Sequence, residues 1–171
     1  MKKIILLGYM GCGKSTIAEK LSGLLHLPFV DLDKSIEALI GSSITSYFSR
    51  YGENAFRIIE KKLLLEIANK QDKFVMACGG GTPCFDDTIQ FMKEMGKVIW
   101  LNPDPSVLWK RLVMGKQERP LIADLNEEQL ADYIAEKLKE RHPFYAQADF
   151  VYCEEQAALP FILNWLSHAK N

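Results

Sequence analysis

The sequence lacks the cysteine and histidine patterns of a disulfide framework or a zinc site. Its four cysteines (Cys12, Cys78, Cys84 and Cys153) form no Cys-x-x-Cys pair, and no histidines stand at zinc-ligand spacing around them. Scattered cysteines of this kind are typical of reduced thiols in a cytosolic protein. We therefore expect a cytoplasmic chain that folds without disulfides or structural zinc.

Long apolar runs and an excess of one charge are also missing. The apolar run 4–7 after the N-terminal lysines is too short for a signal-peptide core, and no run approaches a membrane span. Lys and Arg number 21 against 22 Asp and Glu, so the formal net charge is -1. This balance argues against a nucleic-acid or membrane partner, and an anionic ligand would have to be held by a local cluster of cations.

No repeat, low-complexity tract or linker divides the 171 residues, a length that fits one domain with a substantial core. Short apolar segments alternate with helical patterns. The predicted strands are 4–7, 29–30, 74–77, 98–101 and 150–152. The main predicted helices follow residue 13, span about 53–70 and about 127–141, and run through Trp165. In the first helix Ile17, Ala18, Leu21, Leu24 and Leu25 share one face. Buried strands between amphipathic helices predict a three-layer α/β/α domain with a parallel sheet.

The segment Gly8–Ser15 matches the phosphate-binding pattern Gly-x-x-x-x-Gly-Lys-[Ser/Thr] at every required position. A predicted strand precedes it and an amphipathic helix follows, which is the context that this motif requires. Its backbone amides and the helix N-terminus would hold phosphates, with Lys14 on the β- and γ-phosphates and Ser15 on Mg²⁺. The ATP-binding residues are then Gly11, Cys12, Gly13, Lys14, Ser15 and Thr16.

Other motifs of nucleotide-binding proteins are absent. No Asn-Lys-x-Asp element for guanine appears, and no long apolar strand ends in Asp-Glu as in motor ATPases. The third strand ends in Ala77-Cys78, so Asp31, at the end of the second, is the acid that can help to hold the metal. This pattern and the chain length favour a small-molecule kinase.

Three predicted strands end in residues suited to a site: the phosphate loop, Asp31-Leu32-Asp33, and Gly79-Gly80-Gly81. Ligands of open parallel sheets bind at the carboxyl ends of the strands, so these segments predict one shared site. Asp31 and Asp33 would face it together if the segment is extended, one serving the metal and the other accepting a proton. Alternatively, Asp33 only caps a helix that begins near Lys34, and the glycines only form a turn.

Several arginines are candidates for binding an anion. Arg57 follows Glu53 by four residues and precedes Glu60 by three, which surface ion pairing also explains. Arg119 follows a polar stretch typical of a mobile lid, although a solvated loop arginine fits as well. Arg141 closes a predicted helix, where the helix dipole alone favours a cation. Arg111 is the weakest candidate.

Seven segments in this order resemble the shikimate kinase family: Gly8-x-Met10-Gly11-x-Gly13-Lys14-Ser15-Thr16, Asp31-Leu32-Asp33, Phe56-Arg57-x-x-Glu60, Gly79-Gly80-Gly81, Arg119-Pro120-Leu121, Glu140-Arg141-x-Pro143-x-Tyr145 and Ala148-Asp149. The resemblance extends from residue 4 to about 152. It implies a P-loop kinase fold with a five-stranded parallel sheet in the order 2-3-1-4-5. It also implies transfer of the ATP γ-phosphate, with Mg²⁺, to the 3-hydroxyl of shikimate on the route to chorismate.

The resemblance also implies roles for single residues. Asp33 binds shikimate hydroxyls and is the base, and Asp31 assists Mg²⁺ beside Ser15. Shikimate is otherwise held by Arg57, Gly79, Gly80, Gly81 and Arg141, with Glu60 orienting Arg57. Lys14 and Arg119 neutralise charge during the transfer, and Arg111 lies near the adenine. Cys12 and Cys78 replace residues that are often small or polar in the family, and we expect little loss of activity from them.

The resulting expectation is a single kinase domain over residues 1–171, with a lid at about 113–124 and a shikimate-binding helical region at about 33–60. We expect a monomer that acts on a small molecule. A gluconate-type kinase and a nucleotide-binding regulatory module without catalysis are the alternatives. The arginines and the triple glycine argue against a gluconate-type kinase. The lid arginine and both aspartates argue against a regulatory module without catalysis.

Overall fold

The fold is a five-stranded parallel sheet with helices on both faces, seen in a computed structural model that describes residues 3–115, 120–153 and 158–169. The strands are β1 (Lys3–Leu7), β2 (Phe29–Asp31), β3 (Phe74–Ala77), β4 (Lys97–Leu101) and β5 (Phe150–Tyr152). Their order is β2-β3-β1-β4-β5, and every neighbouring pair is parallel. The expected fold class and strand order are confirmed.

The connecting helices are α1 (Lys14–Leu25), α2 (Leu32–Ile40), α3 (Ile44–Lys70), α4 (Thr88–Met95), α5 (Pro105–Met114), α6 (Glu127–Tyr145) and α7 (Ala158–His168). Short 3₁₀ turns lie at Thr82–Cys84 and Pro120–Ile122. In the described residues, no helix combines the length and the apolarity needed to cross a bilayer.

Two hydrophobic cores lie on opposite faces of the sheet, because successive side chains of a strand point to opposite sides. In β1, Ile4 and Leu6 pack with α1, α5, α6 and α7, whereas Ile5 and Leu7 pack with α2, α3 and α4. All four side chains are at most 1% exposed. The central strand therefore contributes to both cores, and this fixes the position of the loop that follows it.

Four helix predictions need correction. Leu24 of α1 is 56% exposed, so it is not part of the buried face. The helix predicted from about Glu53 begins at Ile44, and a kink at Gly52 (φ 80°, ψ 166°) separates its two parts. α2 begins at Leu32 rather than near Lys34. α6 continues past Arg141 and Pro143 to Tyr145, one turn further than predicted.

Candidate active site

The phosphate loop connects the buried strand β1 to α1. Gly13 is the residue before the helix and has φ 89°, a left-handed conformation that glycine adopts without a Cβ penalty. Because glycine carries no side chain to cap α1, the first amides of the helix remain available to an anion. Lys14 Nζ donates a hydrogen bond to the carbonyl oxygen of Tyr9 over 3.3 Å.

A cavity of about 560 Å³ opens at the carboxyl ends of β1, β2 and β3. It brings together most of the residues predicted for the site, namely Gly11, Gly13, Lys14, Ser15, Thr16, Asp31, Asp33, Arg57, Gly79, Gly80, Gly81, Arg111 and Arg141. Cys12 is 4% exposed and lines a neighbouring cavity instead. Arg119 lies outside the described residues.

The two aspartates reach this cavity differently from the prediction. Asp31 is the N-cap of α2, and its carboxylate accepts a hydrogen bond from the amide of Lys34 over 3.2 Å. Asp33 lies in the first helical turn, so it is not the cap, and the segment is not extended beyond Asp31. The helix start, rather than strand alternation, presents both carboxylates to the cavity. Negative charge is favourable there because the helix dipole is positive at that end.

The environment of Asp33 suits a proton acceptor. Burial raises the pKa of its carboxyl group to about 6, with Lys14 opposing the rise and Glu60 and Asp31 adding to it. The group is therefore ionised near neutral pH, and it is a stronger base than an exposed aspartate.

Arg57 is held by two carboxylates. Its Nη1 lies 2.7 Å from Oε2 of Glu60, and its Nη2 lies 2.9 Å from Oε1 of Glu53. The surface ion pair that the spacing allowed is therefore present, yet the Arg57 side chain is only 13% exposed and lines the cavity. Burial pulls the pKa of Arg57 down, but Glu60 and Glu53 together outweigh it and leave the pKa raised.

Glu60 is itself fixed by a further contact that the sequence did not indicate. The residue is 1% exposed, and its Oε1 accepts a hydrogen bond from the hydroxyl of Thr82 over 2.7 Å. Thr82 follows the triple glycine directly. Both oxygens of Glu60 thus have partners, one on α3 and one beside the glycine turn.

Arg141 has a different environment. Its guanidinium lies over the ring of Tyr9, 5.2 Å from the ring centroid. In the part of the chain that the structure describes, no carboxylate forms an ion pair with it. Lys14 and Arg111 also line the cavity without an ion pair among the described residues, but both hydrogen-bond carbonyls of the phosphate loop, so Arg141 is the unpaired cation away from that loop.

The glycine turn approaches these groups too closely to carry side chains. A Cβ at position 79 would lie 2.9 Å from Oδ1 of Asp33, and one at position 80 would lie 2.7 Å from Nη1 of Arg141. The buried hydroxyl of Tyr145 donates a hydrogen bond to the carbonyl oxygen of Gly80 over 2.5 Å. The turn is therefore both close to the charged groups and held in place from α6.

A second cavity, of about 600 Å³, lies on the other side of the phosphate loop. Arg111 lines both cavities and donates a hydrogen bond to the carbonyl oxygen of Gly11 over 3.1 Å. Much of the remaining lining is apolar and was not predicted: Ile17, Leu101, Pro103, Tyr152, Ala158, Leu159 and Pro160. These residues come from several elements and form no motif, so only the fold reveals this largely apolar recess beside the phosphate loop.

Ile44 and Phe48, two apolar residues that line the first cavity, were missed as well, and Leu121 was quoted in a motif but given no role. Ile44 and Phe48 belong to the first part of α3, which lies before the helix that was predicted from about Glu53. Tyr9 and Tyr145 were part of quoted motifs, but nothing in the sequence gave them partners.

No group of three or more His, Cys, Asp or Glu residues that could hold a metal ion is found in the described residues. Mg²⁺ beside a nucleotide does not need such a cluster, because it is bound by one or two carboxylates together with phosphates and water. Ser15 and Asp31 line the same cavity and supply suitable hard oxygen donors. The residues present therefore fit Mg²⁺ held jointly with a nucleotide.

The phosphate loop follows the central strand of a 2-3-1-4-5 parallel sheet, and a pair of carboxylates at the start of α2 and two arginines line the same cavity. This arrangement defines a P-loop kinase that acts on a small molecule. The sequence model of the family described as "Shikimate kinase" matches residues 10–164. The chain belongs to the shikimate kinase family.

Relatives and solved structures agree with this assignment. A shikimate kinase of Bacteroides fragilis is 41% identical over 156 residues, which cover 91% of this chain and 87% of the relative. A crystal structure of a shikimate kinase from Bacteroides thetaiotaomicron matches with a TM-score of 0.91 and 35% identity, covering 97% of this chain and 98% of that chain. A shikimate kinase from Acinetobacter baumannii, solved in complex with shikimate, matches with a TM-score of 0.86 and 30% identity, covering 100% and 96%.

Proposed function

We propose that this chain phosphorylates the 3-hydroxyl of shikimate with ATP and releases shikimate 3-phosphate and ADP, a step toward chorismate and the aromatic amino acids. The observation that carries the proposal is a single cavity that contains the phosphate-loop lysine Lys14, the carboxylate of Asp33 and the guanidinium groups of Arg57 and Arg141. A hydroxy-acid acceptor needs all three: cations for its carboxylate, an acceptor for its hydroxyl proton and a site for the γ-phosphate.

The acceptor is bound from its acidic end. Arg141 and Arg57 hold the carboxylate, and the glycine turn lies against the ring because no side chain separates it from the cavity. The ion pair with Glu60 holds the Arg57 guanidinium at the α3 side of the cavity. The hydroxyl then faces Asp33, which accepts the hydroxyl proton as the oxygen attacks the γ-phosphorus atom. The bond between the γ-phosphorus and the oxygen that bridges it to the β-phosphate breaks, and ADP leaves.

The phosphate side is built by the loop and α1. Lys14 exchanges its hydrogen bond with the Tyr9 carbonyl for the β- and γ-phosphates, and the first amides of α1 donate hydrogen bonds to the phosphate oxygens. The recess beyond Arg111 takes the adenine. Ser15 and Asp31 would hold Mg²⁺, which supplies charge neutralisation of the phosphates when it is bound. Catalysis then comes mainly from positioning and electrostatics, without a covalent enzyme intermediate.

The family resemblance extends the proposal to residues that these contacts do not cover. Arg119 is assigned to the transferring phosphoryl group, residues 113–124 to a lid, and 33–60 to the shikimate-binding region of a single domain. Cys12 is assigned to the ATP loop through its backbone. A cytoplasmic, monomeric enzyme is part of the same proposal, and the mass in solution measured by light scattering tests the monomer.

The decisive experiment measures ADP release with ATP and Mg²⁺ in the presence of shikimate, gluconate, AMP or no acceptor. Release with shikimate alone is the expected result. Release with gluconate or AMP would keep the kinase class and reject the acceptor. A protein that binds ATP but releases no ADP above background with any of them would instead be a regulatory module.

A further inference from the structure

Arg57 and Arg141 both line the cavity, but among the described residues only Arg57 is paired with carboxylates that neutralise its charge. All three guanidinium nitrogens of Arg57 donate to carboxylates: Nε and Nη2 to Glu53, and Nη1 to Glu60. Arg57 and its partners together therefore carry no positive charge. Lys14 and Arg111 also line the cavity, but both hydrogen-bond the phosphate loop. Attraction for an anionic acceptor away from that loop must therefore come mainly from a further cation.

Arg141 is that cation, and an aromatic ring supports it instead of an acid. The guanidinium lies 5.2 Å from the centroid of the Tyr9 ring. An aromatic face attracts a cation through its quadrupole without neutralising it. A carboxylate in the same place would fix the guanidinium equally well but would cancel the charge that a ligand needs.

The position of Tyr9 is unusual for a tyrosine. The residue is 1% exposed, and its hydroxyl has no hydrogen-bond partner among the described residues. A buried, unpaired hydroxyl is unfavourable, so the side chain is not held here by its polar end. The ring, which spans from the phosphate loop toward α6, is the part that makes the useful contact.

We propose that Tyr9 is a positioning residue for the acceptor: its ring fixes the Arg141 guanidinium in the cavity while leaving the charge of Arg141 available to the acceptor carboxylate. The inference rests on the proposed function and deepens it. Tyr9 is buried and lines neither the first nor the second cavity. Its contact with the nucleotide side runs through its backbone carbonyl, which binds Lys14 and is present whatever side chain stands at position 9.

Two substitutions separate the ring from the hydroxyl. Tyr9→Phe keeps the ring, and we expect the Kd of shikimate to stay within about twofold of wild type. Tyr9→Leu keeps an apolar side chain but removes the ring, and we expect the Kd of shikimate to rise roughly three- to tenfold. The Kd of ATP should stay within about twofold in both, because the Tyr9 carbonyl remains. Equal weakening by both variants would assign the effect to the hydroxyl and overturn the proposal, as would an equal loss of ATP affinity in Tyr9→Leu.

The methyl ester of shikimate tests whether the effect depends on charge. It lacks the anionic group, so the proposal expects weak binding and little difference between wild type and Tyr9→Leu. A loss for the ester as large as the loss for shikimate would mean that the ring only shapes the cavity. Melting temperatures of all variants show whether folding is preserved, and Tyr9→Met replaces Tyr9→Leu if the latter does not fold.

Nuclear magnetic resonance makes the proposal independent of the substrate. The side-chain protons of Arg141, identified by their loss in Arg141→Lys, should be shifted upfield by the Tyr9 ring in wild type and in Tyr9→Phe, but not in Tyr9→Leu. The absence of this shift in wild type would overturn the inference. Its presence in a protein that fails to bind shikimate would reject the proposed function and leave the contact between Tyr9 and Arg141 established.

Discussion

The guanidinium of Arg57 lies 2.7 Å from a carboxylate oxygen of Glu60, an acid that is almost completely buried. The same guanidinium also forms an ion pair with Glu53, whose side chain is 66% exposed. One arginine thus has a buried and an exposed ion pair, which provides an internal comparison.

Glu60→Gln should raise the KM of shikimate roughly tenfold and leave the KM of ATP unchanged. Removing one partner of a buried charge pair costs about 3 kcal/mol or more, so the melting temperature should also fall. Glu53→Gln is the matched control, since an exposed pair contributes only about 0–1 kcal/mol. Steady-state kinetics and thermal melts check both. Equal effects from the two variants would show that burial of Glu60 is irrelevant to Arg57.

Asp33→Asn should lower kcat by roughly a hundredfold or more, because the amide cannot accept the hydroxyl proton. The KM of ATP should change little. In wild type the pKa of Asp33, which burial raises to about 6, predicts that kcat/KM falls as the pH drops through this value. A coupled ADP assay from pH 5 to pH 8 measures this pH dependence of kcat/KM. Turnover near wild type in Asp33→Asn would remove Asp33 from the role of base.

The same carboxyl group should lower the stability of the enzyme at neutral pH. Because burial raises the pKa of Asp33 in the folded state to about 6, the folded protein binds this proton more tightly than the unfolded chain does. The resulting loss of folding stability is absent below the pKa that Asp33 has in the unfolded chain. It grows as the pH rises toward 6 and is complete above pH 6. Asp33→Asn should therefore melt a few degrees higher than wild type at pH 7.5.

The advantage of Asp33→Asn should shrink as the pH is lowered from 6 toward 4. Asp132→Asn, at an exposed position on α6, should leave the melting temperature unchanged throughout. A stability gain that does not depend on pH would mean that the ionisation of Asp33 is not its cause.

Asp31 has two separable contributions, the cap of α2 and the proposed metal contact. Asp31→Asn keeps a side chain that caps helices as well as aspartate does, but it removes the charge. We expect the Mg²⁺ concentration for half-maximal activity to rise several-fold with an unchanged melting temperature. Asp31→Ala loses the cap as well, which costs about 1 kcal/mol, so it should also melt lower. An identical Mg²⁺ requirement in wild type and Asp31→Asn would exclude the metal role.

Gly80→Ala tests the close approach of the glycine turn. The new methyl group would lie 2.7 Å from Nη1 of Arg141 and must displace it, so the KM of shikimate should rise at least tenfold. Gly23→Ala in α1 is the matched control, because a Cβ at position 23 has no atom within 4 Å. Alanine there should stabilise the protein by about 1 kcal/mol without affecting kinetics. Unchanged shikimate kinetics in Gly80→Ala would contradict the placement of Arg141.

The strands could be predicted closely because short apolar runs between turn residues have few other interpretations. β3 and β5 have the predicted bounds, and β1, β2 and β4 differ by one residue. Helix starts were harder. A capping aspartate at position 31 and one at 33 look alike in sequence, and the kink at Gly52 separates the first part of α3 from the helix predicted from about Glu53.

The sequence by itself determined the phosphate loop, the parallel α/β fold and the family, since these depend on local spacing and on short motifs in order. It also supplied both arginines and the spacing that pairs Arg57 with Glu53 and Glu60, but it could not show that Glu60 is buried or what holds Arg141. Tertiary structure alone decided that the ion pair of Arg57 with the buried Glu60 lies beside the cavity. It also decided that Arg141 lies over Tyr9, because residues about 130 positions apart meet only when α6 packs beside the phosphate loop. The availability of a charge depends on such neighbours, and they are set by packing rather than by local sequence.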